Sequence, residues 1–249
     1  MLRRLVLALR AVVLLSFAAT PVRADTVRIF CAGAAKAAVA DVAGTFERET
    51  GHRVELVFDT VGALRDRVLK GERPDLAVLS SAAIQALGPT GLVASDRIVE
   101  LGRTGVGLAG KPGGPADQVR SVDDLRRLLQ GAATIGYADP ARGATAGTLF
   151  AKALTDLGLA EPLKARLKIY PFGVEAVAAV ERGEIEVGVS QATEILTHPV
   201  VFLGFLPEPY QAWTPYQAAL LSTTGPARLF LDALKAPPAV ATLKRVGFE

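Results

Sequence analysis

Cysteine is nearly absent: Cys31 is the only one in 249 residues, so no intrachain disulfide can form, whatever compartment the chain reaches. It lies inside the apolar run "VRIFCA" and reads as a small buried core residue. Histidine is almost as scarce. His52 follows a glycine at a turn and His198 precedes Pro199, a spacing that gathers neither a metal-ligand set nor a Ser-His-Asp triad. No metal and no cofactor is therefore expected. There is no G-x-G-x-x-G or P-loop pattern, which leaves nucleotide binding without support. Repeats of solenoid period, low-complexity tracts and long linkers are missing as well.

An excess of positive charge is also missing once the N-terminus is set aside. "MLRRLVLALRAVVLLSFAATPVRA" places Arg3 and Arg4 ahead of the apolar core "AVVLLSFAA", with Val22 and Ala24 as a small-residue exit. That is the pattern of a secretory signal peptide, residues 1–24, cleaved after Ala24. Its core is too short, and too soon followed by Pro21 and Arg23, for a good membrane span, and a retained N-terminal anchor is the alternative. The segment carries Arg3, Arg4, Arg10 and Arg23 and no acid, so the remaining chain holds 24 basic and 25 acidic residues, a net −1. Such a chain has no electrostatic footprint for nucleic acid or an anionic membrane, and its expected partners are small molecules or another protein.

Strand-like apolar runs alternate with helix-period runs, which predicts an α/β architecture with mainly parallel sheets. "TVRIFCA", "RVELVFD" and "DLAVLS" each precede a helical stretch, giving three βα units in a row. In the first helix Val39, Val42 and Phe46 recur on one face and Gly51 stops it. Further on, "SVDDLRRLLQG" opens with Ser121 and Asp124 at capping-box spacing and ends on Gly131. "ATIGYA", "IEVGVSQ" and "YQAALLST" read as later strands, "VEAVAAVERG" as a helix, and "PARLFLDALKAPPAVATLKRVGFE" as closing amphipathic helices. Glycine and proline cluster at "GKPGGP" and again at "LPEPYQAWTP", which suggests two lobes joined by two crossings. The expected division is 25–107 with 217–249 for the first lobe and 108–216 for the second. One continuous open sheet is the alternative reading of the same pattern.

Three loops at expected strand ends are rich in small residues. "CAGAAK" supplies Gly33, Ala34 and Ala35 with Lys36 in the first turn, and "FDTVGAL" supplies Thr60, Val61 and Gly62. "YADPARGATAG" supplies Arg142, Gly143, Ala144, Thr145, Ala146 and Gly147. In open α/β sheets ligands bind outside the carboxyl ends of the strands, where the first-turn N–H groups of the following helices point. Small side chains let a ligand approach that backbone, and the positive helix end favours an anion by about 0.3 to 1 kcal/mol at exposed sites. The same composition also serves tight helix-to-sheet packing, and Lys36, Arg65 and Arg142 also fit solvated helix starts. Of the aromatic cluster Tyr210, Trp213 and Tyr216, the residues fit either a cleft wall or permease contact or the cover of a hinge.

The order of "VRIFCAGAAKAAVADVAGTFERETG", "VELVFDTVGALRDRVLKGERPDLAVLS", "IGYADPARGATAGTLFAKALTDLGL", "GVEAVAAVERGEIEVGVSQATEI" and the terminal "VGF" resembles the periplasmic molybdate-binding protein family. These are type II solute-binding proteins of ABC importers. The resemblance covers nearly the whole chain after the signal segment. It implies a two-lobed α/β fold, an oxyanion held between the lobes by amides and hydroxyls, and closure of the cleft on binding. The family's first-loop serine falls on Ala34, and its second-loop serine falls on Val61, beside Thr60. Its third-loop amide falls on Ala146 and the next on Val174, and a tyrosine falls on Gln191. Gly33, Lys36, Arg142 and Thr145 complete the expected ligand-binding set. Thr60, Thr145, Ser190, Gln191, Lys36 and Arg142 are the groups that can replace the lost hydroxyls.

Two functions follow from the resemblance. The first is a periplasmic, monomeric receptor that delivers a small anion, oxyanion or organic carboxylate, to a membrane permease. The second is an enzyme, since some relatives in this family are aconitate isomerases, which move a proton along an allylic tricarboxylate without a metal. For that chemistry Asp59, Glu175 or Glu194 are candidate bases and Lys36 with Arg142 candidate clamps. No residue is assigned as catalytic.

Overall fold

The computed structural model describes residues 24–112 and 118–249. The expected signal segment up to residue 23 and the second half of the "GKPGGP" cluster, residues 113–115, lie outside the described residues. The chain runs β1 (Thr26–Ala32), α1 (Lys36–Thr50), β2 (Arg53–Asp59), α2 (Val61–Leu69), β3 (Leu76–Ser80), α3 (Ser81–Ala86), β4 (Ile98–Thr104) and β5 (Val106–Gly110). It continues with α4 (Val122–Gly131), β6 (Ile135–Ala138), α5 (Thr145–Asp156), α6 (Ala160–Leu163), β7 (Leu167–Tyr170), α7 (Gly173–Glu181), β8 (Val187–Gln191) and α8 (Ala192–Ile195). β9 (Val201–Phe205), β10 (Thr214–Leu220), α9 (Gly225–Ala233) and α10 (Pro237–Arg245) complete it.

Local chemistry sets these boundaries. α1 buries Val39, Val42 and Phe46 and ends on Gly51 at φ +74°, where a left-handed residue closes the last turn. α2 starts on Thr60, whose hydroxyl accepts from the Ala63 amide at 3.2 Å. α4 has the reciprocal cap read in the sequence: Ser121 accepts from the Asp124 amide at 3.1 Å, while Asp124 accepts from the Arg120 amide at 3.1 Å.

Two five-stranded sheets result, ordered β2-β1-β3-β10-β4 and β7-β6-β8-β5-β9. Each is mixed. β1 pairs parallel with β2 and β3, whereas β10 runs antiparallel to β3 and β4. β6 likewise pairs parallel with β7 and β8, whereas β5 runs antiparallel to β8 and β9. Each sheet has its own core, with Ile29, Phe30, Leu76 and Phe230 in one and Leu108, Leu125, Phe150 and Leu203 in the other. This is the two-lobed fold of type II periplasmic binding proteins, not one continuous sheet.

The antiparallel strands are the crossings. The chain passes from lobe to lobe at Gly105, between β4 and β5, and returns between Phe205 and Thr214. Residues 107 and 217 therefore fall inside β5 and β10, a few positions beyond the points where the chain changes sheet. One side chain ties the crossings together. Gln211 accepts from the Val106 amide and donates to the Val106 carbonyl, both at 3.1 Å. Trp213 packs on Phe205 with ring centroids 5.0 Å apart and lies under Arg103, so it covers this hinge. No helix of the described residues is long and apolar enough to cross a membrane.

Candidate functional site

Five strand-to-helix junctions face one another between the lobes. β1 leads through a 3-10 turn at Gly33–Ala35 into α1, and β2 leads directly into α2. From the other lobe, β6 leads into the loop before α5, β7 into α7, and β8 into α8. They enclose a cleft of about 380 Å³, within the range of about 300 to 1,000 Å³ that holds small organic ligands. Among the described residues, the amides of Ala34, Val61, Ala146 and Val174 have no acceptor. These are first-turn N–H groups, the orphan donors of a helix start, and all four residues line the cleft.

Of the ten residues expected to bind ligand, nine line this cleft: Gly33, Ala34, Lys36, Thr60, Val61, Thr145, Ala146, Val174 and Gln191. Arg142 does not. Its guanidinium donates to Asp59 Oδ1 across the lobes at 2.8 Å and lies 5.1 Å from the centre of the Phe172 ring. Lys36 has the matching place in the first lobe, 4.9 Å from the Phe58 ring centre, and has no carboxylate partner among the described residues. Thr60 is already committed: its hydroxyl caps α2 and donates to the Arg142 carbonyl. Beside that bond the Gly62 amide donates to the Gly143 carbonyl at 3.1 Å. A Cβ on either glycine would lie 2.7 Å from the Cα of the other, so only glycine allows the two backbones to meet there. The lobes are thus latched by residues 59–62 against 142–143, and the structure is closed.

The cleft floor holds two groups the small-residue loops did not point to. Tyr216, on β10, is fully buried and lines the cleft. Burial raises its phenol far above the ordinary range; the neighbouring Glu194 carboxyl acts in the same direction, and the Thr145 hydroxyl opposes it. Its sequence signal was the period-2 pattern of "TPYQAALL", which turns alternate residues of a strand to one face. Glu194, named in the sequence only as one of three candidate bases, is buried beside it. Burial pushes its carboxyl up, opposed by donation from Ser190 Oγ and the Gln191 backbone N–H and by the nearby His198 and Lys36 side chains. Asp59 and Glu175 also line the cleft, at its more open parts.

Gln191 stands out among the polar groups. Its side chain is 3% exposed, and both its Oε1 and Nε2 lack a partner among the described residues. Buried amides are satisfied in native proteins, so this one is poised for something that enters the cleft. A smaller chamber of about 210 Å³ shares Gly33, Ala34, Lys36, Val174 and Glu194 with the cleft and reaches His198. Among the described residues no three His, Cys, Asp or Glu gather as a metal site. Cys31 is buried and free, and burial raises its thiol.

Known proteins resemble the chain over nearly its whole length. It is 28% identical to an aconitate isomerase of a Pseudomonas species, over 98% of this chain and 95% of that one. The fold superposes on the Azotobacter vinelandii periplasmic molybdate-binding protein with a TM-score of 0.75 at 21% identity, covering 90% of this chain and 98% of that chain. The sulfate-binding protein SubI of Mycobacterium tuberculosis H37Rv gives a TM-score of 0.68 at 18% identity, covering 90% and 86%. A model of the bacterial extracellular solute-binding protein family matches residues 27–249. With that match across both lobes and a ligand-sized cleft between them, the chain belongs to the bacterial extracellular solute-binding protein family.

Proposed function

We propose that the protein is an exported, monomeric receptor that captures a small organic carboxylate in this cleft and hands it to the membrane permease of an ABC importer. The observation that carries this reading is the donor set. Four orphan amides, the unpartnered Gln191 amide and the Lys36 ammonium face the cleft, while Ala34 and Val61 supply no hydroxyl. A desolvated tetrahedral oxyanion loses about 1.5 to 3 kcal/mol for each charge-assisted hydrogen bond removed. Thr60 and Ser190 do not make up the loss, because their hydroxyls are bonded to Arg142 and Glu194. A longer anion reaches Lys36 and several helix starts at once.

A thermal-shift series on the chain from Asp25, with molybdate, tungstate, sulfate, citrate and the two aconitate isomers, tests this. A ligand at a thousand times its Kd stabilises the native state by about 4 kcal/mol. Shifts with the polycarboxylates are expected. A shift with molybdate or tungstate alone would replace the carboxylate by an oxyanion, and no shift at all would sink the receptor reading.

One observation favours a second reading, that the protein isomerises an allylic tricarboxylate. A buried carboxyl lines the cleft together with Asp59 and Glu175. One acid that holds its proton and one ionised base are what a 1,3-proton transfer needs: the base takes a proton from one carbon while the acid returns one at the other end of the allylic system. Incubation with cis- or trans-aconitate, followed by separation of the isomers, distinguishes turnover from binding.

A further inference from the structure

We propose that Glu194 is a specificity-determining residue that meets the bound anion as a neutral carboxylic acid, so that the cleft accepts an anion only while this proton is held. The proposal rests on the reading of the cleft as an anion site.

The placement of the carboxyl carries it. Glu194 stands in α8 of the second lobe, yet its carboxyl is enclosed by backbone from both lobes. A Cβ built on Gly33 of the first lobe would lie 2.5 Å from Oε1, and one on Gly173 of the second would lie 2.7 Å from Oε2. The carboxyl thus fills a slot that two missing side chains create. Ser190 Oγ donates to Oε2, leaving Oε1 at the Gly33 side, against the helix start whose Ala34 amide is an orphan donor.

Charge then decides the protonation state. The groups facing this corner are Lys36 at the start of α1, Cys31 on β1, Tyr216 on β10, Glu175 on α7, and His198 beyond α8, itself paired with Glu181 at 2.8 Å. Asp59, at the end of β2, is balanced by Arg142. Lys36 offsets Glu175. With Cys31 and Tyr216 neutral and His198 set against Glu181, an ionised Glu194 would give the wall a net negative charge and repel an anion, whereas the neutral acid leaves a donor in place. Burial acts in the same direction, since an enclosed carboxyl without a bonded cation is disfavoured as an anion.

The test is the pH dependence of binding by wild type, Glu194→Gln and Glu194→Ala, using trans-aconitate and sulfate between about pH 5 and 9. Sulfate keeps a constant charge over that range, so its profile reports the protein alone. Wild-type affinity is expected to fall by up to tenfold per pH unit once Glu194 ionises. E194Q retains a neutral donor and loses that limb, whereas E194A also lacks the limb and binds more weakly than E194Q at every pH. Calorimetry in buffers of different ionisation heat adds a readout that a packing role would not move. Above the ionisation step wild type takes up one more proton on binding than E194Q. If wild type binds and its pH profile and proton uptake match those of E194Q, the proposal is overturned while the receptor reading stands. If wild type binds neither probe at any pH, both fall together.

Discussion

Gly33 and Glu194 meet across the two lobes so closely that a single methyl group on the glycine would lie 2.5 Å from the glutamate Oε1. The contact exists only while the cleft is closed, because one residue begins the first lobe's α1 junction and the other sits in the second lobe's α8. The same closure places Gly62 against Gly143 and Arg142 against Asp59. Closing therefore depends on backbone-to-backbone and backbone-to-carboxyl fits that small residues permit.

Replacing Gly33 with alanine should hold the lobes apart. Overpacking of this kind costs about 1 to 3 kcal/mol, and the cost falls on the closed state alone. Ligand affinity is expected to drop about tenfold or more. Adding Glu194→Ala to that variant removes the opposing oxygen and should restore closure, seen as a smaller radius of gyration on ligand addition. Wild-type affinity in Gly33→Ala would remove the contact from the closing mechanism.

Arg142 is expected to act on closure and not on the ligand. Its side chain is 40% exposed and its partner Asp59 19%, and ion pairs so open to solvent contribute about 0.2 to 1 kcal/mol. Arg142→Ala should weaken binding less than about tenfold, through faster dissociation, and the loss should shrink at high salt. A hundredfold loss independent of salt would show that the guanidinium reaches the ligand directly.

Much of this arrangement was legible in the chain. The glycine- and alanine-rich strand exits marked seven of the nine expected cleft residues, because a helix start that must approach a ligand carries small side chains whichever ligand it serves, and Val174 and Gln191 came from the family resemblance. The β4, β5, β7 and β9 strands were not singled out. β4 interleaves Glu100 and Arg103 among its apolar positions, and β7 is a four-residue edge with Lys168 exposed, so neither has a continuous apolar run. Arg142 looked like a ligand clamp since sequence shows its place in the loop but not its partner on the other lobe. Tyr216 and Glu194 were ambiguous for a different reason. Their role depends on which side of a strand or short helix faces the cleft, a question settled by the pairing of β10 with β3 and β4 and of β8 with β5.

Restoring hydroxyls tests the positions carried over from the molybdate-binding proteins. Ala34 and Val61 both line the cleft beside orphan amides. Ala34→Ser with Val61→Ser should therefore add donors where a tetrahedral oxyanion would sit. At about 1.5 kcal/mol or more for each charge-assisted bond, molybdate affinity is expected to rise at least tenfold by calorimetry. No gain would mean that the oxyanion does not occupy this end of the cleft.

The pH dependence of stability gives an independent view of Glu194, without any ligand. Because burial raises its carboxyl, the folded chain keeps this proton to higher pH than the unfolded chain does. Its contribution is then full below about pH 4.3, the ordinary glutamate value, and is lost as pH rises through the folded value. Glu72, Asp124 and Glu184 are held below the ordinary range by Arg67, Ser121 and Arg182 in that order, so their contributions are lost in the opposite direction, as pH falls. Those three are unchanged in Glu194→Gln, and the difference between the two proteins isolates the buried group. The difference in melting temperature, wild type minus E194Q, is expected to fall steadily from about pH 5 upward, because glutamine carries no proton to lose. Parallel curves would place the Glu194 carboxyl in contact with water in the free protein, and the slot between Gly33 and Gly173 would then form only on closure.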